Sequence, residues 1–376
     1  MSRKKIAILG SFPAWLIDET IPKGKGHFAV WLVSLYQALS ELSNTYEIHW
    51  ITFCRGIKKT KRFTSQQQHF HIFPETSLTL GQYTHYIRER FLIKREIKKI
   101  APDIVHAWGT ETFYGLAGKD YKNKNILSMQ GVLTACVQRA IMPKFQIRQS
   151  KYEKSTLNSY CLVTAESPWA LDRCKEISNK PQYELFDYSA NDLFFHIERE
   201  PSSTPSCLLA GTDTLLKDVA SAIQAFSQPE LSHITLYLAG IPHNRYPNLP
   251  SNIIPLGRIS REKIAEYLKT TWCLVHPSVA DSCPNIVKEA RVIGVPCIVT
   301  HECGAKQYIC NQKSGFVVPI KSPDKIAEAV LKITNSQKTT LNMGAYDLER
   351  CRTALSASTM LDNLIKLYNS ILNTTP

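Results

Sequence analysis

Two acids, Asp281 and Glu289, stand eight positions apart in the segment HPSVADSCPNIVKEA at 276–290. Between them a Pro-Asn pair opens the stretch NIVKEARVIG, which closes at Gly294 ahead of the next apolar run, PCIVTH. The pattern predicts strand, loop, helix and strand, with Asp281 on the loop and Glu289 about one turn inside the helix. A helix starting at Pro284, Asn285 and Ile286 leaves backbone N–H groups free to hold a phosphate. A carboxylate cannot replace those donors on phosphate; it suits hydroxyls, so Glu289 reads as a partner for a diol such as ribose. Asp281, on the loop, would meet another polar part of the same ligand. The plainer alternative has Asp281 capping the helix and Glu289 facing solvent.

A second loop, in GTDTLLKDVASAIQAF, places Gly211 at a strand end and Lys217 at a helix start, where a flexible ammonium can reach phosphate. A third, HECGAKQYI, contains Gly304, which permits close backbone approach. In the first half of the chain, GKGHFAVWLVSLYQAL puts Gly24, Gly26 and His27 on a loop before a helix, and DIVHAWGTE puts His106 and Trp108 near a strand end. Gln130 follows another strand and suits a sugar hydroxyl, and Glu166 lies between a strand and a helix. Each has a plain packing or capping alternative. Neither GxGxxG nor GxxxxGK[ST] occurs, which argues against a dinucleotide fold and a P-loop ATPase.

Positioning such loops requires strands followed by helices. Short apolar runs alternate with helical patterns through both halves: KKIAILG, YEIHWITFC, DIVHAWG, NILSMQG and YCLVTAES, then SCLLAG, HITLYLAG, IIPLG, WCLVHPS, PCIVTH and GFVVP. At 376 residues the chain fits two mostly parallel sheets, with a Ser/Pro-rich crossing at 202–207. The expected division is 1–198, 199–350 and a C-terminal helical stretch, 351–376, packing back on the first domain. Ligands would lie outside the strand ends and in the cleft between domains.

Eleven cysteines without a CxxC signal neither zinc nor a disulfide framework, and a reduced cytoplasm is the expected home. No run approaches the roughly 18 apolar residues of a membrane span. The net charge of +13 is local: residues 1–160 carry 24 Lys/Arg against 11 Asp/Glu, and the rest carry 21 against 21. That imbalance points to an anionic partner for the first domain alone. In THYIRERFLIKREIKKI at 84–100, apolar positions are expected mostly on one broad face, with a basic face toward water or an anionic membrane surface. No aromatic stacking platform accompanies the charge, so nucleic acid is not expected.

Taken together, residues 5–335 resemble the GT-B glycosyltransferases, specifically the retaining family 4 type (glycosyl transferases group 1). The specific part is HPSVADSCPNIVKEARVIGVPCIVTHECGAKQYICNQKSGFVVPI. The resemblance implies an α/β fold of two Rossmann-like doubly wound domains facing a central cleft. It implies transfer of a sugar from a UDP- or GDP-linked donor to a saccharide or lipid-linked acceptor in cell-envelope or polysaccharide synthesis, with no permanently bound cofactor and no metal. Lys217, Asp281 and His106 become the candidate catalytic side chains. Gly24, Gly26, Lys217, Arg258, Asn285, Ile286 and Glu289 would bind the donor, and His27, Trp108, Gln130 and Glu166 would face the acceptor. Three positions depart from the family pattern: Thr212 stands where an Arg is usual, Gln130 where a His is common, and the first acid is Asp281 instead of Glu. A phosphorylase or epimerase-like enzyme, or a degenerate nucleotide-sugar binding protein, are the alternative readings.

Overall fold

The run KKIAILG forms the strand β1 (Lys4–Leu9), whose last four residues are all buried. The computed structural model describes residues 3–23, 29, 31–119, 121, 124–212 and 214–373. Seven more strands complete the first sheet: β2 (Tyr46–Cys54), β3 (Lys61–Ser65), β4 (Gln68–Pro74), β5 (Ile104–Trp108), β6 (Asn125–Met129), β7 (Leu162–Ala165) and β8 (Gln182–Leu185). Their order is β3-β4-β2-β1-β5-β6-β7-β8, parallel throughout except for the β3/β4 pair. The second sheet, β11-β10-β9-β12-β13-β14, is wholly parallel, from β9 (Ser206–Ala210), β10 (Thr235–Ala239), β11 (Ile253–Gly257), β12 (Cys273–His276), β13 (Cys297–Thr300) and β14 (Gly315–Val318). Continuous apolar runs such as CLVH and CIVT suit strands covered on both faces. The two doubly wound α/β domains face each other across a cleft, as expected.

Two elements differ from the sequence reading. The β3/β4 hairpin was not expected: its turn residues, Gln66 and Gln67, take φ of 45° and 60°, a left-handed conformation normally marked by Asn or Gly. In the helix Ile87–Ile100, Ile93, Ile97 and Ile100 are buried, but Ile87 and Phe91 are 66% and 63% exposed. At about 100° per residue, Ile87 and Phe91 lie about 80° to 180° around the helix from the other three, so the apolar residues form two faces.

The last helix, Ala357–Asn373, returns to the first domain. Met360, Leu364, Leu367 and Tyr368 share a core with Ile6, Leu32 and Leu35. It covers the first sheet near β5 and donates nothing to the cleft.

Candidate functional site

In the second domain the strand ends β9, β10 and β12 and the start of the helix Asn285–Ile293 open onto a cavity of about 690 Å³. Trp31, Gln130 and Glu166 close it from the first domain; Gly211, Thr212, Lys217, Arg258, Asp281, Asn285 and Ile286 line it from the second. The helix is preceded by Pro284 in extended conformation with no side-chain cap, so its first N–H groups are open to an anion. Gly294, at φ +89°, ends it in the left-handed turn that glycine accepts without strain. The loop after β13 crosses directly over Asp281: Gly304 N–H donates to the Asp281 carbonyl at 2.8 Å, and a Cβ on Gly304 would sit 1.6 Å from the Ser282 carbonyl oxygen. The close approach that glycine allows is therefore to the neighbouring backbone, which fixes Asp281 in place.

The Asp281 carboxylate accepts from Lys217 Nζ, and its Oδ2 lies 2.9 Å from His276 Nε2. Ser278 Oγ is 2.9 Å from the same ring nitrogen. Burial alone would raise the Asp281 carboxyl, but the Lys217 charge and the His276 hydrogen bond overcome it and hold it well below the usual carboxylate range. Burial lowers His276, so the ring is a neutral donor to Asp281 in its Nε2–H form. The result is a preset acid with a cation beside it at the mouth of a helix N-terminus. His276 and Ser278 were not singled out from sequence, although His276 ends β12 and Ser278 follows two residues later.

Glu289 lies one turn deeper than Asn285, is 6% exposed, and meets no hydrogen-bond donor among the described residues. Burial pushes it up to about 7, against weaker opposing charges from Arg261 and Lys288. A buried carboxyl without a protein partner is suited to a ligand hydroxyl. Arg258 is exposed at the cleft edge after Gly257, and Thr212 lines the wall without a charge.

On the first-domain side the sequence reading needs correction. His106 is not at the cleft. It is fully buried within β5, 2.7 Å from Ser128 Oγ on β6 and 3.1 Å from the Tyr368 hydroxyl of the last helix. Burial holds its pKa near 3, a neutral core ring between a strand and the helix that covers it. Glu166 lines the cleft, but its Oε2 is 2.6 Å from Lys288 Nζ, so the carboxylate faces an ammonium instead of an acceptor. Gln130 does line the cleft, and Trp108 is buried in the wall of a neighbouring cavity. Gly24, Gly26 and His27 lie outside the described residues.

Lys288 also ties the domains together. Its fully buried ammonium donates to Glu166 and Asp187, and to the Tyr188 carbonyl at 3.1 Å. Burial would lower Lys288, but the two carboxylates reverse the shift and keep it charged; burial pushes Glu166 up to about 7. Glu166, Asp187 and Cys283 have metal-ligand spacing, and the Lys288 ammonium already stands against both carboxylates. Ser167 Oγ donates to the Ser282 carbonyl at 2.6 Å, and Trp169 Nε1 to Glu302 at 2.8 Å, across the same boundary.

The model of the family "Glycosyl transferases group 1" matches residues 194–350, the segment that contains Lys217, Asp281 and the helix start at Asn285. The chain is 29% identical over 90 residues to an Escherichia coli UDP-Gal:alpha-D-GlcNAc-diphosphoundecaprenol alpha-1,3-galactosyltransferase; the match covers 24% of this chain and 23% of that protein. The chain thus spans about a quarter of the length of that curated relative. Its whole fold is similar to a sucrose-phosphate synthase from Thermosynechococcus elongatus, with a TM-score of 0.80, 15% identity and coverage of 99% of this chain and 100% of that one. It is also similar to Anabaena HepE in complex with UDP and glucose, with a TM-score of 0.72, 12% identity and coverage of 98% and 100%. The fold is GT-B, two Rossmann-like α/β domains flanking a central cleft.

Proposed function

We propose that this chain is a retaining glycosyltransferase that moves a hexosyl group from a UDP- or GDP-sugar to a saccharide or lipid-linked saccharide in cell-envelope or polysaccharide synthesis. The observation that carries this reading is the donor constellation: the open helix start at Asn285 and the Lys217–Asp281 pair line one cleft, and the buried, unpartnered Glu289 lies one turn deeper in the same helix. The helix N–H groups and Lys217 hold the diphosphate, Glu289 accepts from the ribose, and Asp281 accepts from donor sugar hydroxyls. During transfer the bond from the anomeric carbon to the phosphate oxygen breaks as the bond to the acceptor oxygen forms on the same face. The acceptor proton passes to the departing phosphate, whose charge Lys217 and the helix dipole stabilise. The neighbours whose names include UDP support the choice of donor nucleotide. Incubation with a panel of radiolabelled nucleotide sugars and NMR of the product anomer test the reading: an inverted product removes the retaining mechanism, and no product with any donor removes the activity.

The same reading places the enzyme in the cytoplasm, peripherally on the inner membrane face. Its support is the outward face of the helix Ile87–Ile100, where Ile87 and Phe91 are flanked by exposed Lys94, Arg95 and Lys98, beside exposed Leu80 and Tyr83. No helix among the described residues is long and apolar enough to cross a membrane, so such a contact would be interfacial. Co-sedimentation with anionic vesicles at low salt tests it, and indifference to them removes it.

A further inference from the structure

Beside the donor cleft lies a second cavity of about 360 Å³, within the size range of small-ligand sites. Trp31 and Gln130 line both, so the two cavities adjoin. Its wall carries aromatic surface from Trp31, Trp108 and Tyr114, and polar groups from Thr112, Gln130 and Gln146. Among the described residues its lining holds a single charged side chain, Glu111, although the chain as a whole is +13.

Glu111 is set into this wall by close contacts. A Cβ on Gly109 would lie 2.2 Å from its Oε2, and one on Gly131 would lie 2.7 Å from its Oε1. The neighbouring Glu153 has a different situation: it accepts from Thr110 Oγ1 at 2.8 Å, Leu133 N–H at 3.0 Å and Thr134 N–H at 2.8 Å, so it holds the loop. Trp108 offers a donor. Trp108 is 2% exposed, and its indole N–H meets no acceptor among the described residues. An aromatic face with a carboxylate and an open N–H beside it matches a sugar ring, which offers C–H groups to the one and hydroxyls to the others.

We propose that this cavity seats the acceptor's terminal ring and that Glu111 recognises it, accepting hydrogen bonds from an uncharged sugar and disfavouring an anionic one. The inference rests on the transferase reading and adds the acceptor class to it. Burial pushes the Glu111 carboxyl up to about 7; hydrogen bonds from the backbone of Glu111, Gly131 and Thr110 lower it, and the Glu153 charge raises it. In its ionised form it accepts from a sugar hydroxyl. Beside Glu153, and with no cation among the described residues of the lining, an ionised Glu111 repels a uronic acid or a phosphorylated ring.

The test compares octyl β-glucoside with octyl β-glucuronide, binding being read by tryptophan fluorescence with UDP present. Wild type should bind the glucoside at least tenfold more tightly. Glu111→Gln should weaken the glucoside roughly tenfold and shrink the glucoside-to-glucuronide ratio toward one, because the charge that discriminates is gone. UDP-glucose affinity by calorimetry and Tm should hold. Gly131→Ala, which crowds Oε1 without removing the carboxylate, should also weaken the glucoside. Unchanged glucoside affinity in Glu111→Gln, absence of glucoside binding, or equal binding of both glycosides by wild type overturns the proposal. Failure of the wild type to bind UDP-glucose or GDP-mannose at all overturns instead the donor reading beneath it.

Discussion

The two sides of the cleft are built differently. On the second-domain side the cation, the acid, the helix start and the ribose candidate come from residues 211–289, in two strand–loop–helix units that begin at the adjacent parallel strands β9 and β12. On the first-domain side Trp31, Trp108, Glu111 and Gln130 come from separated segments, and none pairs with another through a charge. The second-domain side is a preset electrostatic site; the facing wall is aromatic and amide surface with one carboxylate among the described residues. A diphosphate demands fixed cations and N–H groups, and so the residues that hold it cannot drift. A sugar ring is met by shape and by a few hydroxyl contacts, which many arrangements satisfy.

Lys288, on the second-domain helix, joins the two sides, and removing it should have the largest effect. Lys288→Met leaves Glu166 and Asp187 buried against each other without their shared cation. Breaking a buried ion pair in this way costs about 3–5 kcal/mol. Urea unfolding at neutral pH should show that loss, and a change under about 1 kcal/mol would mean the bridge does not hold the domains. Next comes Lys217→Ala, which removes the cation proposed to hold the phosphate and leaves Asp281 with His276 and Ser278. Turnover should fall about 10²–10³-fold, the scale of losing one group that stabilises developing charge. Steady-state kinetics at saturating donor check it; full retention of turnover would place the chemistry elsewhere.

Glu289 gives a smaller, pH-dependent effect. Its folded-state value near 7 means that it is largely protonated at pH 6 and ionised at pH 8 in the free protein. If ribose hydroxyls bind the ionised form, donor affinity rises with pH and levels off above 7. The gain between pH 6 and pH 8 should be about tenfold. UDP-glucose is the probe, because its diester phosphates do not titrate in this window as the terminal phosphate of UDP does. Glu289→Gln should give a weaker and flat profile by calorimetry. A wild-type profile that is flat or falls with pH would remove Glu289 from the ribose.

This difference between the two sides also decided what the sequence could tell. Asp281, Asn285 and Glu289 share one strand–loop–helix unit, so their spacing alone places them at a strand mouth, and the alternation of runs exposed both sheets. His106 was misplaced because a histidine near a strand end looks the same whether its face meets the cleft or, as here, the last helix from more than 250 residues away. Glu111 carries no motif, and only the folding of residues 109 and 131 around it marks it as held in place. Lys288 was missed because its partners lie over 100 residues distant in the other domain. The β3/β4 hairpin was invisible because glutamines fill a turn usually marked by asparagine and glycine.

The smallest effect tests the outer face of the first domain, where charge is concentrated away from the cleft. Exposed Lys94 and Lys98 lie one turn apart, beside exposed Ile87 and Phe91, while Glu89 and Glu96 on the inner face are engaged by the Thr76 N–H and by Arg62 and His71. The outward surface thus carries cations without nearby carboxylates to cancel them. Near an anionic surface each such cation contributes about 1 kcal/mol, so Lys94→Gln with Lys98→Gln should weaken binding to phosphatidylserine vesicles by about 2 kcal/mol, roughly thirtyfold. The loss should fade as salt rises, because screening shortens the reach of surface charge to about 10 Å at 0.1 M. Ile87→Ser with Phe91→Ser should weaken binding at every salt concentration, since burial of apolar surface is not screened. Vesicle co-sedimentation across a salt series separates the two terms. If both double variants bind as wild type does, the basic face serves another partner, and the charge imbalance between the domains has nothing to do with a membrane.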